Sequence, residues 1–239
     1  MRKNNDKQAS LVEKAYQQIK EWIIRYDLKP GTYLRIAQLS AQLEMSQTPI
    51  REALSKLERE YLVNQLSKQG YVVRSMDLKE VEDIYNVRIA LEAMAVEEAA
   101  TRITEATLTK LSHILEEAMN LMNKGDKGRT LDIEQDFHMV IMEAGGNHFL
   151  VQIGKGILER IWMIQNVNIF TSDHMIIAHQ EHVEILKALK QRDPQKAAAL
   201  MNKHLRFAKE FVISRLKNSD DFLAKLLAVF PDSRRLGER

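Results

Sequence analysis

Four side chains in the second half of the chain have the chemistry of a metal site: Glu134, His138, His182 and His204. One carboxylate oxygen and three imidazole nitrogens suit a divalent transition ion, with positions left over for water or a ligand. Glu134 and His138 are four residues apart, so on a helix both project from one face. His138 stands among Phe137, Val140 and Ile141, His182 beside Val183, Ile185 and Leu186, and His204 near Leu200, Leu205 and Phe207. Each therefore lies on or near an apolar face. A lone histidine in such a place is more often a core residue satisfied by one hydrogen bond, and spacing alone does not bring three separate helices to one point. Arg88 is the second candidate, because it falls on the stripe formed by Val81, Ile84, Leu91 and Ala95. A guanidinium there needs an anion. That anion is either Glu92, one helical turn on, or the carboxylate of a bound ligand. His174, next to an expected N-cap, and His179, three residues before His182, read as exposed helix positions.

The elements that must position these groups are helices. From Asp77 onward apolar residues recur at helical spacing, and the pattern predicts helices over 77–102, 105–124, 129–145, 147–168, 172–191, 193–216 and 219–228. The breaks fall at Thr104, Lys124-Gly125-Asp126, Gly145-Gly146-Asn147, Ser172-Asp173 and Asp193-Pro194. This describes an all-α bundle of six or seven helices.

The first 76 residues read differently. After a polar arm expected to be unstructured, Leu11, Ala15, Ile19, Trp22 and Ile23 form the apolar stripe of a first helix, closed by Lys29-Pro30-Gly31. Leu39 and Leu43 mark a short second helix. A third follows in EMSQTPIREALSKLEREYLV, where Ile50, Ala53, Leu54 and Leu57 must face a core. Ser46 is suited to the N-cap and Pro49 to the first turn. Gln47, Thr48, Arg51 and Ser55 then lie on the outer face, as a helix that reads the major groove requires. Tyr61–Leu66 and Tyr71–Arg74 are predicted to be two strands joined by a turn around Gly70. Three helices and such a hairpin make a winged helix-turn-helix, with Lys68 and Gly70 at the wing tip.

Composition agrees with this division. The chain of 239 residues carries 13 Lys and Arg against 8 Asp and Glu up to residue 76, and 22 against 25 beyond it. A basic first third on an otherwise acidic chain suits a nucleic-acid-facing domain. There is no cysteine, which excludes disulfides, thiolate catalysis and cysteine-ligated zinc. No apolar run is long enough to span a membrane, and the polar start MRKNNDKQAS is not a signal peptide, so the cytoplasm is the expected location.

These residues together resemble the GntR family of bacterial transcription regulators. Pro30-Gly31 before Leu34, then SQTPIREAL, then the Leu-Val hairpin ending in Gly70-Tyr71-Val72-Val73 look like its DNA-binding domain. Arg88 in RIALE, Phe137-His138 followed by Gly146-Asn147, Glu181-His182 followed by Ile185-Leu186-Lys187-Ala188-Leu189, and His204 resemble the FCD-type effector domain of the FadR subfamily. The resemblance implies a winged helix-turn-helix over 1–76 and an effector-binding and dimerisation bundle over 77–239. It implies a homodimeric regulator, most often a repressor, that binds a pseudo-palindromic double-stranded operator and answers to a small organic acid. Arg35, Ser46, Gln47, Thr48, Arg51, Lys56, Lys68 and Gly70 would serve DNA binding, and Arg88 would meet the effector carboxylate. Glu134, His138, His182 and His204 would hold a divalent metal, zinc first, with nickel, manganese or iron as alternatives. Three departures from the family pattern stand out: Gln47 where Arg is common, Tyr61 where Gly is common, and Glu134 where Asp is usual. Gln47 suits adenine rather than guanine edges. Other readings of the cluster remain, a purely structural metal, a metal sensor, and a metal-dependent hydrolase or lyase, although no additional acid or base is evident for catalysis.

Overall fold

The computed structural model describes residues 2–68, 70–165 and 171–217. Two compact units divide between Met76 and Asp77.

In the first unit, α1 (Arg2–Ile24), α2 (Ile36–Gln42) and α3 (Gln47–Arg59) accompany β1 (Tyr33–Arg35), β2 (Val63–Ser67) and β3 (Gly70–Val73). The polar start is not an unstructured arm: the first helix begins at Arg2. Val12, Ala15, Ile19 and Ile23 of α1 are buried, as are Pro49, Ile50, Ala53, Leu54 and Leu57 of α3, so the two apolar stripes meet. The hairpin is present as antiparallel β2 and β3, but it has a third strand on its other side. β1 pairs with β3, Leu34 opposite Tyr71, giving the order β1-β3-β2. Between α3 and β2 the chain turns through Tyr61 at φ 58°, the left-handed region that favours glycine.

The second unit consists, among the described residues, of α4 (Leu78–Arg102), α5 (Glu105–Asn123), α6 (Lys127–Ala144), α7 (His148–Gln165), α8 (Ser172–Lys190) and α9 (Pro194–Lys217). The predicted helix over 219–228 and the end of the one over 147–168 lie outside the described residues. The starts are set by side-chain caps. Asp77 and Glu80 form a reciprocal capping box on α4, and Thr104, Asp126 and Thr171 each accept from a first-turn N–H of the next helix. One core joins Val96 and Ala99 of α4, Leu111 and Leu115 of α5, Phe137 and Ile141 of α6, Ile185 and Leu189 of α8, and Met201 and Leu205 of α9. Gly145 is more than a helix terminator. A Cβ there would come within 2.8 Å of the Ala95 carbonyl oxygen, so glycine lets the end of α6 lie against the backbone of α4.

Candidate functional site

Helix α4 is buried along Val81, Tyr85, Arg88, Ile89, Glu92, Ala95 and Val96, which puts a guanidinium and a carboxylate on its inward stripe. Neither is unpaired. Arg88 Nε donates to Glu92 Oε1 at 2.5 Å, and Glu92 Oε2 lies 2.5 Å from His138 Nδ1 on α6. Burial alone would push the Glu92 carboxyl upward, but Arg88 and His138 overcome it and hold the group at about 2. The sequence placed Glu92 as one possible partner of Arg88; its second oxygen on His138 is new.

His138, His182 and His204 converge from α6, α8 and α9. His182 Nε2 lies 3.1 Å from His138 Nε2 and 3.0 Å from His204 Nε2. All three are buried, and they are the one group among the described residues whose ligand atoms gather as a metal requires. Behind them sit carboxylates. His204 Nδ1 lies 3.0 Å from Glu181 Oε2, and His182 Nδ1 lies 3.9 Å from Glu134 Oε1. Burial lowers the imidazolium pKa of His138 to about 4 and that of His182 well below its ordinary value, so both rings are neutral at pH 7. Burial also raises Glu134 to about 8.

Three imidazoles that point their Nε2 atoms at one another form a poor hydrogen-bonding set, because each Nε2 can offer the others either a lone pair or a proton but not both. A cation resolves the conflict. Two nitrogens held about 2.0–2.1 Å from one ion lie roughly 3.0–3.4 Å apart, which the observed separations match. The residues present therefore fit a divalent transition metal. The cluster faces a cavity of about 30 Å³, lined also by Arg88, Glu134, Met175 and Ala208. That is room for an ion and one or two small oxygen ligands.

Two expectations on α8 need correction. His174 and His179 are both buried rather than exposed. His174 lines the same cavity, its ring 5.2 Å from that of Phe207 and 3.8 Å from that of Phe211. The cause is that α8 packs against α5 on one side and α9 on the other, so it buries more than a single face.

In the first unit, Gln47, Thr48 and Arg51 are exposed on the outer face of α3. Arg51 Nη1 donates to the Lys68 carbonyl at 2.6 Å and so ties α3 to the wing. Ser46 occupies the N-cap position, but its side chain makes no cap hydrogen bond. Arg35 is exposed, its guanidinium 5.8 Å from the Tyr33 ring centroid. Lys56 is half-buried and paired with Glu13 at 3.0 Å. Lys68 is exposed, whereas Gly70 is buried. A Cβ at Gly70 would strike the Tyr33 ring and hydroxyl, so the missing side chain makes room for a neighbour within the fold.

Comparison with known proteins agrees with these two units in order. Residues 11–73 match the family described as bacterial regulatory proteins, gntR family, and residues 83–207 match the FCD domain. The HTH-type transcriptional repressor GlaR of Escherichia coli is 31% identical over 201 residues, covering 80% of this chain and 90% of GlaR. The HTH-type transcriptional regulator YdhC of Bacillus subtilis is 29% identical, covering 76% of this chain and 82% of YdhC. Among solved structures, E. coli McbR/YncC superposes with a TM-score of 0.76 at 22% identity, over 86% of this chain and 98% of that one.

Proposed function

Because the chain belongs to the gntR family of bacterial regulatory proteins, with an FCD domain as its second unit, we propose that it is a metal-dependent, acid-responsive DNA-binding repressor acting as a homodimer in the bacterial cytoplasm. The family and the relatives named above are transcription regulators, not enzymes, so the hydrolase or lyase reading of the cluster falls. The observation that carries the finer reading is the cluster of His138, His182 and His204 beside Arg88 in one buried cavity.

In this reading α3 enters the major groove, with Gln47, Thr48 and Arg51 toward base edges and Arg35 and Lys68 toward phosphates. Lys56, paired with Glu13, would have to leave that partner to reach a phosphate. The three histidines would hold the ion, which when bound supplies a Lewis-acidic centre for an effector carboxylate. Arg88 lines the same cavity and adds positive charge for that carboxylate. The cavity fits only a short acid without rearrangement. A second copy of the chain suits the exposed apolar residues Val87 and Met94 on α4 and Phe149 and Ile153 on α7, two helices that pack together. Control of DNA binding requires that the acid bind the DNA-competent and DNA-incompetent states with different affinity.

The test is metal analysis of the native protein together with mass spectrometry of any small acid that copurifies. His182→Ala is then compared with wild type in operator release, the operator being selected from random duplexes by the wild-type protein. The reading expects about one metal per chain and loss of acid-dependent release in the variant. Release that persists in metal-free His182→Ala would refute an effector role for the metal. Release by metal alone, with no acid, would make the protein a metal sensor.

A further inference from the structure

Glu134 is the residue where this chain departs from the usual aspartate, and the simplest expectation from its spacing is a fourth metal ligand. Its surroundings point elsewhere. The three imidazoles share one arrangement: Nε2 faces the common centre, and Nδ1 faces outward. Behind His138 Nδ1 stands Glu92 at 2.5 Å, and behind His204 Nδ1 stands Glu181 at 3.0 Å. Each of these carboxylates accepts the Nδ1 proton, which fixes the tautomer and leaves the Nε2 lone pair for an ion. His182 has the same orientation, since its Nε2 is the atom shared between the other two rings. If that Nε2 is to bind an ion, its Nδ1 must carry the proton and needs an acceptor. The group facing it is Glu134, 3.9 Å away.

Both atoms are otherwise unsatisfied. Glu134 Oε1 and His182 Nδ1 are each buried without a hydrogen-bond partner. A buried orphan donor facing a buried orphan acceptor is a costly pair of vacancies, and an approach of about 1 Å would fill both at once. An oxygen bonded to Nδ1 is held at the ring nitrogen of His182 that is not shared with the other two rings. Glu134 is also absent from the set of ligand atoms that lie within 4.8 Å of one another, which contains the histidines alone. The i, i+4 spacing that puts Glu134 and His138 on one face thus serves two different rings: His138 enters the centre, and the glutamate stops behind its neighbour.

We infer that Glu134 is a positioning residue, the carboxylate partner of His182 Nδ1, and that the metal is held by three imidazoles, each backed by its own glutamate. The inference rests on the metal reading given above and changes its ligand count. An ion with three protein ligands keeps more coordination positions for an effector acid than one with four.

Cobalt(II) loading of the full-length protein tests this, because its visible absorption reports ligand number and type. Wild type, Glu134→Gln, Glu134→Ala and, as a true ligand loss, His182→Ala are compared. Glu134→Ala is expected to keep the wild-type band positions and intensity while binding cobalt 10–100-fold more weakly, the effect typical of removing a partner behind a ligand. Glu134→Gln, whose amide oxygen can still accept from Nδ1, should recover part of that loss. His182→Ala should change the spectrum itself. A Glu134→Ala spectrum altered as in His182→Ala would overturn the inference in favour of a fourth ligand. So would unchanged affinity in both Glu134 variants, which would leave the carboxylate without a role. Nitrogen NMR of the zinc-loaded wild type gives a reading independent of any variant: His182 should be protonated at Nδ1, and a metal-bound Nδ1 refutes the assignment. Failure of the wild type to take up cobalt at all would instead remove the metal reading on which this rests.

Discussion

Replacing Glu92 should be among the most damaging single changes in the bundle, and its size follows from its two partners. The carboxylate is 1% exposed and bridges the Arg88 guanidinium and the His138 ring at 2.5 Å each. Its folded pKa of about 2 against an ordinary 4.5 is two and a half units. At about 1.4 kcal/mol per unit this amounts to roughly 3 kcal/mol in favour of the ionised form. Glu92→Gln keeps the shape but removes the charge, so a loss near that figure is expected at pH 7. Glu92→Ala leaves a guanidinium buried without a counter-ion and should cost about 3–5 kcal/mol. Urea unfolding with a chelator present measures both. Trp22 lies in the first unit and Trp162 on α7, so fluorescence in a Trp22→Phe background reports the bundle alone. Because the folded pKa is lowered, the stabilisation is complete above pH 4.5 and is lost as pH falls toward 2. Wild type and Glu92→Gln should therefore converge on acidification. A loss below about 1 kcal/mol at pH 7, or a gap that stays constant down to pH 3, would show that the buried bridge does not hold its charge as described.

Three further outcomes are expected. In the metal-free protein, burial holds Glu134 protonated up to about 8 against an ordinary 4.5, so the folded state binds the extra proton and stability falls as pH rises. The lowered pKa values of His138, His174, His179 and His182 act in the opposite direction over the same range, so the effect is read as the stability difference between wild type and Glu134→Gln. That difference should fall by about 1.5 kcal/mol from pH 6.5 to 8 in the same urea titrations; a difference that does not change with pH would show that Glu134 is ionised in the fold. Tyr61→Gly should raise the stability of the first unit by about 0.5–1 kcal/mol, since a side chain at φ 58° is strained there; a lower melting temperature would show that the contact of the ring with Arg74 outweighs the strain. Arg51→Ala should abolish specific binding to the selected operator with helical content unchanged by circular dichroism, and retained specificity would remove α3 as the reading helix.

Legibility in the sequence followed the range of the interactions concerned. The helices of the bundle were readable to within two residues at most ends because their apolar period and cap residues are local: Thr104 and Asp126 act on N–H groups three residues away. β1 was not readable. It is three residues long with one buried side chain, and its reason for being a strand is β3, Leu34 pairing with Tyr71. The polar start of α1 shows no apolar stripe, so periodicity gave no sign that the helix begins at Arg2. His174 and His179 were misplaced because a helix covered on two sides has no single inward stripe to be read against.

The candidate site shows the same boundary within a few ångströms. That His138, His182 and His204 bear metal-ligand chemistry could be read from residue type, and their order matched a known family. Which nitrogen each would turn inward could not, because that choice is made by Glu92, 46 residues from His138, and by Glu181, 23 residues from His204. Glu134 is the sharpest case. Its spacing from His138 correctly puts both on one face of α6, yet the ring it addresses is His182, on another helix. A face is a property of one helix, whereas a ligand is a property of the space between three. The i, i+4 spacing supplies the first and is blind to the second, and for that reason the spacing of a metal motif specifies the site but not the coordination number.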